Sequence, residues 1–75
     1  MKDTDWLTII ASEPEYEHLV AELHFKDQFL LLLDREQGRD KLCVAFPDKN
    51  GKLTSRIPLD EFIAQLQVSA EDLRQ

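Results

Sequence analysis

His18, Glu22 and His24 are the residues here best suited to hold a metal ion, and they fall within seven positions. On a strand all three share a face, but a rise of about 3.3 Å per residue sets the two imidazoles roughly 20 Å apart. On a helix His18 and Glu22 meet at i, i+4 while His24 swings to the far side. Neither geometry gathers three ligands, and the spacing matches no zinc motif. They read as surface histidines beside acids, and no metal is expected.

Nucleophilic chemistry finds no better footing. Cys43 is the only cysteine. In a strand it points away from Leu42 and Val44 and reads as a small buried hydrophobe, whereas a reactive thiol needs a nearby His and an open, electropositive setting. The carboxylate pairs Asp34/Glu36 and Asp60/Glu61 suit a loop and a helix start better than acid–base work. No G-x-S-x-G, P-loop or G-x-G-x-x-G sequence occurs. A chain this small also has little room for a substrate pocket of about 300–1,000 Å3. The expectation is no catalytic residue, no cofactor and no enzyme.

The elements that position these side chains follow from composition and periodicity. Residues 1–75 form one domain, and 43% hydrophobic against 32% charged residues is too apolar for a disordered chain. The β-branched run Trp6-Leu7-Thr8-Ile9-Ile10-Ala11 predicts a strand. Residues 15–24 read two ways. Ser12 and Glu15 have capping-box spacing, and Tyr16, Leu19, Val20 and Leu23 repeat as on a helix. With period two, Leu19, Ala21, Leu23 and Phe25 line one face, and His18, Val20, Glu22 and His24 line the other. The apolar run that follows Lys26-Asp27 favours the strand, because that link has the length of a hairpin turn.

Further along, Gly38 marks a loop with positive φ. Leu42, Val44 and Phe46 share one face of the next strand, which Pro47 stops. Asn50-Gly51 predicts a type I′ turn into a short strand over residues 53–57. Pro58 then opens a helix whose stripe is Leu59, Phe62, Ile63, Leu66, Ala70 and Leu73, with a kink expected near Val68. The fold class is α+β: an antiparallel four- to five-stranded meander sheet with one C-terminal helix packed on one face. Leu59, Phe62, Ile63 and Leu66 are expected to meet the sheet.

Charge is unevenly spread. Residues 1–40 carry ten acids against four bases, while residues 41–75 carry five of each. Residues 3–25 hold Asp3, Asp5, Glu13, Glu15, Glu17 and Glu22 with no Lys or Arg. A net charge of −6 argues against binding nucleic acid or an anionic membrane. Asp5, Glu13, Glu15, Glu17 and Glu22 are therefore the expected contacts for a basic protein partner. The opening residues lack the layout of a signal peptide and no apolar run can span a bilayer, so a cytoplasmic location is expected.

The stretch LVAELHFKDQFLLLLDREQG, then KLCVAFPD, then IPLDEFIAQL, over about residues 19 to 66, resembles small bacterial immunity proteins. Those proteins accompany contact-dependent and other polymorphic toxins. The likeness lies in the order of elements: a hairpin, the Glu36-Gln37-Gly38 loop, an apolar strand ending in Phe46-Pro47, and Ile57-Pro58-Leu59-Asp60 leading into a terminal helix. Where such relatives would carry Asp-Gly or a similar turn, this chain has Lys26-Asp27. The resemblance implies a cytosolic antitoxin-like binding protein, possessing no activity of its own, whose partner is a toxin domain. A self-associating structural or regulatory module is the alternative.

Counting sheet faces gives one more expectation. If Phe29, Leu31 and Leu33 lie under the helix, then Val20, Leu30, Leu32, Cys43 and Ala45 point the other way. An uninterrupted apolar run signals burial on both faces. That second face is expected to meet a partner or to form a homodimer.

Overall fold

The computed structural model describes residues 5–75; Asp3, the first of the acids counted above, lies outside the described residues. The described strands are β1 (Trp6–Ala11), β2 (Val20–Phe25), β3 (Gln28–Asp34), β4 (Cys43–Ala45) and β5 (Ile57–Pro58). They form one antiparallel sheet in the order β1-β2-β3-β4-β5, and helix α1 (Leu59–Leu73) follows directly. This is the α+β meander with a C-terminal helix that the periodicity anticipates. Residues 20–25 are strand, while residues 12–19 form an irregular loop and not a helical turn.

The β2–β3 hairpin turns through two residues, Lys26 (φ 49°) and Asp27 (φ 68°). Both carry the positive φ that a type I′ turn requires, and neither is glycine. Pairing then slips: Leu23 faces Leu31 but His24 faces Phe29. Leu30 is the extra residue of this bulge, and the slip puts Phe29 beside the His24 ring at 5.4 Å. Phe29 therefore leaves the face of Leu31 and Leu33, where strict alternation would have placed it.

The Asn50-Gly51 turn differs from expectation. Only Gly51 has positive φ, at 83°. The Asp48 carboxylate accepts the N–H groups of Asn50 (2.8 Å) and Lys52 (2.9 Å), and this side-chain bridge replaces the second left-handed residue. Pro58 also sits one step earlier than expected. It pairs with Cys43 in β5 and caps α1 from outside with ψ 129°. The proline loses nothing there, since β5 is an edge strand. The helix continues through Val68 unbroken.

Register defines the two sheet faces. Trp6, Thr8 and Ile10 share one with Phe25, Leu23, Ala21, Leu31, Leu33, Val44 and Ile57, and on it only Val44 is buried. The opposite face holds the core: Val20, Leu32, Cys43 and Ala45, with Asp34 among them. Helix α1 touches the sheet through its first turn, where the Phe62 ring lies 5.1 Å from Phe46. Leu59 and Phe62 are half-buried, but Ile63 and Leu66 are exposed. The radius of gyration is 14.0 Å, against about 11 Å for a compact chain of this length. Among the described residues no helix is long and apolar enough to cross a membrane.

Candidate partner-binding surface

The acidic side chains are positioned by a relay of polar contacts that begins in the core. Asp34 ends β3 with its side chain fully buried, and burial of a lone carboxylate is costly. Arg56 offsets that cost with two hydrogen bonds, Nε to Oδ2 at 2.8 Å and Nη2 to Oδ1 at 2.7 Å. The Glu36 N–H donates to Asp34 Oδ1 at 3.1 Å. The Arg56 bonds, and to a lesser degree the Glu36 N–H, hold the Asp34 carboxyl below its usual range. Arg56 is correspondingly pushed up by the Asp34 hydrogen bond. Burial, with Asp34 nearby, raises the Tyr16 hydroxyl.

Glu36 extends the relay to the β1–β2 loop. Its Oε1 accepts the Glu17 N–H at 3.0 Å and its Oε2 the His18 N–H at 2.9 Å. These two bonds, the Glu17 N–H foremost, lower the Glu36 carboxyl. A carboxylate that clasps two backbone N–H groups fixes the loop without neutralising its acids. Glu15 and Glu17 stay exposed and Glu13 is half-buried. Asp5, also exposed, sits beside the first residue of β1, where its carbonyl accepts the Lys26 N–H at 2.8 Å. Among the described residues none of these four acids forms an ion pair.

Glu22 differs from them. It faces Ile9 across the sheet and meets His24 Nε2 at 3.2 Å, so it is partly engaged within the fold. His18 lies in the loop, away from that pair's strand, and no group of three His, Cys, Asp or Glu suited to a metal occurs among the described residues. Cys43 is buried, its Sγ 4.0 Å from both Gln37 Oε1 and the Lys41 carbonyl.

The residues expected on an open apolar face sit elsewhere. Val20, Leu32, Cys43 and Ala45 are buried and Leu30 is half-buried. They form core within the single chain. The exposed large apolar side chains lie instead on β1 and its flank, at Trp6, Leu7, Ile9, Ile10 and Leu19, and along α1, at Ile63, Leu66, Val68 and Leu73. Sequence reasoning passed over β1 as a surface because its run of apolar types reads as core; only its place at the sheet edge exposes it. No protein-family model matches this chain, and no curated protein or solved structure matches it either.

Proposed function

We propose that this protein is a cytoplasmic binding protein of the immunity type, which neutralises a basic toxin domain by docking its acidic first half against it. The observation that carries this reading is the set of exposed acids at the two ends of β1 that form no ion pair among the described residues: Asp5 before it, and Glu15 and Glu17 after it. The exposed apolar side chains of Leu7 and Ile9, on the sheet face opposite Trp6 and Ile10, lie between them. Acidic ends around an apolar middle combine steering with contact area. The relay through Asp34 and Glu36 supports the reading, since a fixed loop loses less conformational freedom on binding.

The test is co-expression with the product of the gene immediately upstream. The proposal expects protection of the host cell and a complex that weakens steeply as salt rises. Lack of toxicity in that neighbouring product, or a complex indifferent to salt, would contradict it.

A further inference from the structure

Two apolar surfaces of this chain are uncovered, and they lie at opposite ends of the sheet. One is the face carrying Trp6, Ile10, Leu23, Leu31 and Leu33, where Trp6 is 51% and Ile10 62% exposed. The other is the outer part of the helix stripe. Leu59 and Phe62 tuck against the sheet, but the same stripe continues through Ile63, Leu66 and Leu73, which are 44%, 53% and 86% exposed. At 3.6 residues per turn, Asp60, Glu61, Glu71 and Asp72 project from the other side of α1, so the stripe itself is uncharged.

Within one copy these surfaces do not meet. α1 follows Pro58 with no linker, at the sheet edge opposite β1. Four strand spacings separate the two edges, about 19 Å. Among the strands, α1 packs mainly against β5.

We propose that a second copy covers both surfaces, in a two-fold dimer where α1 of each copy lies on the β1–β3 face of the other. The exchange is reciprocal, so a single two-fold operation closes it. Covering Trp6, Ile10, Leu19, Ile63, Leu66 and Leu73 removes on the order of 600 Å2 per copy, or about 1,200 Å2 in all, the lower end of specific interfaces. Charge favours this arrangement over the other self-pairings. Sheet-on-sheet stacking or edge pairing through β1 would oppose two acidic halves, each with ten acids against four bases. Helix exchange sets the half with five of each sign against the acidic one.

Sedimentation velocity on the full chain tests this. The wild type should run at twice 8.7 kDa. Leu66→Glu and Ile10→Lys should each give a monomer with an unchanged circular dichroism spectrum, because both side chains are exposed in the single chain. An equimolar mixture of the two variants should recover the dimer. One helix–sheet contact then pairs Glu with Lys, and the other keeps Leu66 on Ile10. A wild type that stays monomeric at about 100 µM overturns the proposal. So does a dimer that only one substitution breaks, as sheet stacking predicts, or a mixture that stays monomeric.

Discussion

Arg56 grips Asp34 with two hydrogen bonds, 2.8 and 2.7 Å long, across 22 residues of sequence. The contact draws the segment before β5 onto the end of β3. It also places a charge in the core of a domain whose total stability is a few kcal/mol. Arg56→Ala leaves the Asp34 carboxylate buried and without its cation. Breaking such pairs costs about 3–5 kcal/mol; the Arg56 side chain is 36% exposed, so we expect about 2–3 kcal/mol by urea denaturation. A loss below about 0.5 kcal/mol would mean that water replaces the guanidinium without penalty.

The same pair sets an acid limit. The folded-state pKa of Asp34 is lowered, first by Arg56, relative to an unfolded value of about 3.9. Its contribution is therefore fully present above the unfolded pKa and is lost as pH falls through the folded one. Glu36, lowered by the Glu17 and His18 N–H groups, acts in the same direction. Melting temperature should hold steady from pH 7 to about 5 and fall below it. A melting temperature that rises between pH 5 and 3 would contradict this assignment.

The β2–β3 turn holds two non-glycine residues at positive φ. Asp27→Gly relieves the second and should stabilise the protein by about 0.5–1 kcal/mol, seen as a higher thermal midpoint. A lower midpoint would show that the Asp27 side chain contributes more than its backbone strain costs.

Phe62 meets Phe46 at 5.1 Å but remains half-buried. Phe62→Ala should accordingly cost about 2 kcal/mol in chemical denaturation, less than the 3–5 of a fully enclosed ring. A cost above 4 would place Phe62 in the core.

Much of this architecture was legible in the residues themselves. Trp6–Ala11 and the apolar run of β3 announce strands by type and length, and Pro58 with the Leu59–Leu73 stripe announces the helix. The opposite orientation of Cys43 and Val44 is also plain from alternation. Four features were hidden, each for its own reason. The bulge at Leu30 depends on a register that no single strand encodes, and it moves Phe29 across the sheet. The Asp34–Arg56 pair joins residues far apart in sequence, so neither flags the other. Which face is closed depends on that pair and on where the helix points, and period-two counting is blind to both. The acids were legible as a composition, but the Glu36 clasp that holds Glu17 and His18 in place was not.

The central claim is that the acidic loop and the start of β1 meet a basic partner. Stopped-flow association with the product of the gene immediately upstream, at a series of salt concentrations, tests it most directly. Glu15→Lys/Glu17→Lys should slow association at low salt by at least about tenfold and flatten its salt dependence. Glu71→Lys/Asp72→Lys, on the charge-balanced half, should change the rate less than about threefold. Equal slowing by the two double variants, with equal salt slopes, would contradict the claim.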